Sequence, residues 1–138
     1  LAAEQACHIL LFWSPGKSDN KLHPGDDEKA DFITEQCADL PIIPVRTNTV
    51  RELMAGMSLC DQIVTSDGGA LHIAAGVHKP VVALFGNKAA WLWTPWGVPY
   101  EMLQGKDYDA RNISVDDVFT RFVSLQEQVR KNTVTDEA

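Results

Sequence analysis

The sequence predicts an α/β fold, a mainly parallel sheet of five or six strands with helices on both faces, built from residues 1–138 as a single domain. Three observations lead there. Short apolar runs alternate with stretches of helical spacing along the whole chain. Glycine and proline stand where one kind of segment gives way to the next. The length of 138 residues, 45% hydrophobic and 22% charged, suits one buried core and argues against disorder. Strands separated by helices form βαβ units, and those units run their strands parallel.

The elements follow in order. His8 to Trp13 is a short apolar run closed by Ser14-Pro15-Gly16, a buried strand entering a loop. From Asp27 the spacing turns helical, with Ala30, Ile33, Cys37 and Leu40 on one stripe that Pro41 ends. Ile42, Ile43 and Val45 mark a second strand, and Pro44 within it points to an edge or a bulge. Thr49 and Glu52 are spaced as a capping box ahead of a stripe of Val50, Leu53, Met54 and Met57. Gln62 to Ser66 is a β-branched third strand, broken by Asp67-Gly68-Gly69. Ala70 to Ala75 reads as a helix stopped by Gly76, and Val81 to Phe85 is the clearest strand, ended by Gly86. A loop holding Trp91, Trp93 and Trp96 leads to a weaker strand near Tyr100 to Leu103. Ser114 caps a last helix with the stripe Val115, Val118, Phe119, Phe122 and Val129, expected to fray from Lys131 onward.

Composition removes several function classes. A net charge of −7 argues against general nucleic-acid binding, which needs a basic face to displace counterions. The longest apolar runs, Ile9 to Trp13 and Val81 to Phe85, fall far short of the ~20 residues of a membrane helix. Leu1 to Ala6 carry no basic region, so no secretory signal is visible, and the missing initiator methionine suits a segment of a longer protein. Cys7, Cys37 and Cys60 are odd in number and far apart, the pattern of free thiols in a reducing cytosol.

In an open α/β sheet, ligands bind beyond the carboxyl ends of the strands. The loops that matter are therefore Ser14 to Pro24, Ser66 to Gly69 and Gly86 to Trp96. In the second of these a strand ends, two glycines let a ligand approach the backbone, and a helix begins. Unpaired amides and a partial positive charge at a helix start suit a phosphate. Asp67 can accept hydrogen bonds from sugar hydroxyls there; equally, it can be a simple helix cap above a tight turn. His72, in the first turns of that helix, can act through hydrogen bonds or be a packed core histidine, whereas His8 and His78 read as structural. Gly16-Lys17-Ser18 resembles the end of a P-loop, but Leu11 stands where that motif needs glycine and Pro24-Gly25 blocks the helix that should follow. What remains is a polar loop in which Lys17 or Lys21 can neutralise a diphosphate, or a solvated loop without a ligand. The three tryptophans can cap the core, stack on a ligand or cover an interface.

The run Glu52-Leu53-Met54-Ala55, Cys60-Asp61, Ile63 to Gly76 and Lys79 to Gly86 resembles glycosyltransferase family 9, the lipopolysaccharide heptosyltransferases. The likeness is specific over Thr49 to Gly86 and looser over Leu10 to Pro24. His23 stands where the family pattern has tryptophan, and Gly68 where threonine is usual. The resemblance implies a Rossmann-like domain, the C-terminal donor-binding half of a two-domain GT-B enzyme. It implies that Asp67 holds heptose hydroxyls, that Gly68 and Gly69 face the diphosphate, and that His72 supports that corner. Lys21 would contact the donor phosphates, with Ser14, Gly16 and Ser18 lining the same pocket. The implied reaction is inverting, metal-independent transfer of heptose from ADP-heptose to the lipopolysaccharide core. No resident cofactor or metal is expected, and no catalytic residue lies in this chain, because the general base belongs to the missing N-terminal domain. The expected location is cytoplasmic, with peripheral association of the full-length protein at the inner membrane as a compatible partner. Two rival readings stay open: a non-catalytic nucleotide-sugar-binding module, and a GT-B enzyme using another donor such as a UDP-sugar.

Overall fold

A computed structural model describes residues 6–22 and 24–136, the side chains of 133–136 excepted. Leu1 to Gln5, read above for a targeting signal, and His23 lie outside the described residues. The chain divides into two compact units, Leu1–Gly56 and Met57–Ala138.

In the first unit, β1 (Ile9–Trp13) and β2 (Ile42–Arg46) pair in parallel, with Leu11 opposite Pro44. Proline donates no ladder hydrogen bond, so it is tolerated here because β2 has one neighbour in its sheet. Helix α1 (Asp27–Gln36) carries Asp27 and Glu28 in its first turn, where they complement the helix dipole, and buries Ala30. It ends earlier than the apolar stripe suggests. The Cys37 amide bonds back to Ile33 at 3.0 Å and Leu40 closes a turn on Cys37 at 2.9 Å. Pro41 disfavours helical geometry in the residue before it, so the chain unwinds ahead of it and leaves Leu40 exposed.

Helix α2 (Val50–Ser58) opens on the expected cap, shifted in one arm. Thr49 Oγ accepts from the Glu52 amide at 3.2 Å, while the Glu52 carboxylate accepts from the Asn48 amide at 2.7 Å, one residue before Thr49. Val50 and Met54 are exposed, so the inward side is Leu53, Gly56 and Met57 rather than the full stripe. Gly56 lies on Phe12 so closely that a Cβ there would stand 2.5 Å from the Phe12 ring.

The second unit holds β3 (Ile63–Ser66), β4 (Val81–Phe85) and β5 (Tyr100–Gln104), parallel and in that order across the sheet. Val81, Ala83 and Phe85 point to one face and Val82 to the other, yet all four are 0% exposed. Both faces of β4 are thus covered, which is why it reads as an unbroken apolar run. Helices α3 (Gly69–Gly76) and α4 (Val115–Asp136) pack on this sheet. A short 3₁₀ turn, Ala90–Leu92, replaces a helix between β4 and β5. Glu101 on β5 accepts from Arg121 and Ser124 of α4, each at 3.1 Å, and Gln62 donates to the Phe122 carbonyl at 3.0 Å.

The fold class is the predicted one, mixed α/β with parallel strands. The five strands form a two-stranded and a three-stranded sheet rather than one continuous sheet. Periodicity locates strands but not their partners, and each ladder here joins consecutive strands. Ser114 caps α4 as expected, accepting from the Asp117 amide at 3.0 Å. The helix runs to Asp136. No helix among the described residues is long and apolar enough to cross a membrane.

The α4 stripe is displaced from its sequence reading: Val115 is 83% exposed, and Leu125, absent from that stripe, is fully buried. Leu125→Ala should therefore cost about 3 kcal/mol through the cavity it leaves, whereas Val115→Ala should change stability by less than about 0.5 kcal/mol. Urea unfolding of the two variants checks this ordering.

Candidate functional site

The turn from β3 to α3 is built by one hydrogen bond and one glycine. The Asp67 amide donates to the Leu84 carbonyl at 2.8 Å, which carries the β3–β4 ladder one residue beyond the strand. Gly68 then adopts φ +144° and ψ −169°, a conformation that a side chain rarely tolerates, and α3 begins at Gly69. This start is one residue ahead of the expected Ala70. A β-branched residue would be strained there.

The Leu71 amide bonds to the Gly68 carbonyl at 3.2 Å, while the Gly69 and Ala70 amides have no acceptor among the described residues. A Cβ added at Gly68 or Gly69 would meet nothing within 4 Å, so the backbone there lies open. No side chain caps this helix. The Asp67 carboxylate, exposed, accepts instead from the side-chain amide of Asn87 through Oδ2. Its Oδ1 has no partner among the described residues, so Asp67 is not the helix cap that spacing alone allowed.

Asn87 arrives from the end of β4. Its Oδ1 accepts from the Ala89 amide at 2.9 Å, and its carbonyl accepts from the Gln104 side chain. Further along the loop, Trp93 meets His72 edge-on with ring centroids 6.1 Å apart and planes at 63°. His72 is therefore an exposed group steadied by Trp93 rather than a core histidine. Trp91 and Trp96 are 71% and 90% exposed, which removes core capping as their role. Lys88 stands over the Tyr108 ring at 5.4 Å from its centroid.

In the first unit, the loop after β1 is pinched shut at its base. The Asp26 amide donates to Ser14 at 2.8 Å, Asp27 to Gly16 at 3.2 Å and Gly25 to Lys17 at 3.0 Å. Gly16 takes φ +129°, and a Cβ on Gly25 would fall 2.2 Å from the Gly16 carbonyl carbon, so only glycine fits the crossing. Asp27 anchors the floor: Trp13 Nε1 donates to it at 2.7 Å and Arg46 reaches it at 3.4 Å. The Trp13 hydrogen bond, ahead of the other causes, holds the Asp27 carboxyl below its usual range. Ser18, Lys21 and their neighbours are exposed at the tip. Ser18 donates to Glu28 at 3.2 Å, while the Lys21 ammonium has no ion pair among the described residues.

A sequence profile for glycosyltransferase family 9 (heptosyltransferase) matches residues 1–121. The chain belongs to glycosyltransferase family 9. It is 27% identical over 89 residues to lipooligosaccharide heptosyltransferase 2 of Campylobacter jejuni, an alignment covering 64% of this chain and 27% of that protein. Among solved structures it is similar to the glycosyl transferase family 9 protein of Veillonella parvula, with a TM-score of 0.73 at 20% identity. That superposition covers 89% of this chain and 37% of the other. The chain thus spans well under half of the family 9 proteins it matches, and the structural likeness establishes the fold.

For a family 9 chain, the residues that sequence reasoning placed on the β3–α3 turn stand together: Asp67, Gly68 and Gly69 are contiguous at the carboxyl edge of the sheet, with His72 further along the same helix. Ser14, Gly16, Ser18 and Lys21 belong to the closed loop of the other unit. Sequence reasoning singled out the Gly86 to Trp96 loop that holds Asn87 but not Asn87 itself, nor Gln104 and Asp27. Gly68→Ala should lower stability by about 1–3 kcal/mol through backbone strain, whereas Gly69→Ala, into open space, should be near neutral. Thermal melting of both variants distinguishes strain at one residue from general intolerance of the turn.

Proposed function

We propose that this chain is the nucleotide-sugar-binding half of a GT-B glycosyltransferase that transfers heptose from ADP-heptose to the lipopolysaccharide core in the cytoplasm. One observation supports it most: free amides at the start of α3 lie beside an exposed carboxylate with one oxygen unpaired. The amides of Gly69 and Ala70 suit a diphosphate, and Asp67 suits the hydroxyls of the attached sugar. As the glycosidic bond breaks, negative charge grows on the departing diphosphate while the sugar becomes oxocarbenium-like. Fixed amide dipoles aimed at that charge stabilise it without reorganisation, each worth about 3 kcal/mol by analogy with oxyanion sites. This chemistry asks for no metal and no resident cofactor. Inversion follows when the acceptor hydroxyl attacks opposite the diphosphate, deprotonated by a base supplied outside this chain. Alone, the chain should bind donor and turn over little.

Calorimetric titration with ADP-heptose, ADP, UDP and GDP tests the donor. ADP-heptose should bind best and ADP next, and a clear preference for UDP would overturn the heptose assignment. Asp67→Ala should weaken ADP-heptose about tenfold, the worth of a hydrogen bond to a charged group, and leave ADP within about twofold; equal loss for both ligands contradicts a sugar-binding role. Lys21→Ala should weaken ADP and flatten the dependence of its affinity on salt, and unchanged binding would remove Lys21 from phosphate recognition.

A further inference from the structure

We infer that Asn87 is the positioning residue for Asp67: it occupies one carboxylate oxygen and thereby presents the other, Oδ1, to the donor sugar. The inference rests on the donor reading above. Asn87 is held at three points. Its Nδ2 donates to Asp67 Oδ2, its Oδ1 accepts from the Ala89 amide at 2.9 Å, and its own carbonyl accepts from Gln104 Nε2.

These partners leave the amide one orientation. The Ala89 N–H can only donate, so it must face the amide oxygen; an ionised carboxylate can only accept, so it must face the NH₂. Turning the amide over would set oxygen against oxygen at Asp67 and N–H against N–H at Ala89. Gln104, on the last residue of β5, fixes the Asn87 main chain from the other side. Three adjacent parallel strands therefore meet in one chain of contacts, Gln104 to Asn87 to Asp67, at their common carboxyl edge.

The consequence is rotational. Asp67 is exposed and follows directly on β3, so its side chain would otherwise sample several rotamers. With Oδ2 tied, the side chain loses rotational freedom and Oδ1 keeps one direction. A preorganised acceptor loses less freedom when a hydroxyl arrives.

The test compares ADP-heptose with ADP, because the ratio of their dissociation constants isolates the sugar. Asn87→Ala should reduce that ratio about tenfold and leave ADP affinity within about twofold. Asn87→Asp keeps the shape but removes the donor, so it should lose at least as much and carries the comparison if the alanine variant folds poorly. In an Asp67→Ala background, Asn87→Ala should produce no further loss in the ratio, since the two residues act through one contact. Additive losses, parallel weakening of ADP, or a full ratio in both Asn87 variants would overturn the positioning role. A wild-type protein that shows no preference for ADP-heptose over ADP would instead overturn the donor reading, and this inference with it.

Discussion

The parallel ladder between β3 and β4 determines where the rest of the second unit's site can stand. Ser66 pairs with Leu84, and the Asp67 amide extends the same pattern to the Leu84 carbonyl. Parallel strands leave a sheet at one edge, so the residues after β3 and those after β4 emerge side by side although 20 positions separate Asp67 from Asn87. Had these strands run antiparallel, the two side chains would lie at opposite ends.

Much of this was readable from residues alone, and the reasons differ from place to place. The clear strand Val81 to Phe85 was found to the residue because a doubly covered strand must be apolar throughout. The cap before α2 was legible because its chemistry is local, although the Glu52 carboxylate accepts from the Asn48 amide. The α4 stripe was less legible: helical spacing admits several faces, and only the packed sheet decided for Leu125 over Val115. In the site, Asp67, Gly68 and Gly69 announced themselves because turn chemistry is written in consecutive residues. Asn87 could not, since its place beside Asp67 comes from a strand pairing that no spacing rule encodes.

The first unit illustrates the same division. Glycines 16 and 25 were visible as loop residues, but their need to be glycine comes from the crossing of two backbone segments. Trp13 and Asp27 were assigned to a strand and a helix, and only in three dimensions does the indole N–H meet the carboxylate. That contact has a pH consequence with a definite sign. A carboxyl held below its ordinary range favours the folded state above that range, and the contribution fades as acid protonates Asp27 through its lowered pKa.

There remains the question of how a chain with net charge −7 would hold a diphosphate. Helix starts give a physical answer. The first turns of α1, α2 and α4 carry acids (Asp27 and Glu28, Glu52, and Asp116 and Asp117), which already satisfy the positive end of each dipole. The first turn of α3 carries none. Its partial charge is thus uncompensated within the helix, and its amides are neutral dipoles that need no counterion when no ligand is bound. An acidic protein can therefore favour a bound phosphate at this helix start. Asp67 fits beside it only if its charge is directed away from the phosphate and toward hydroxyls. A carboxylate tied through one oxygen meets that requirement better than one free to rotate.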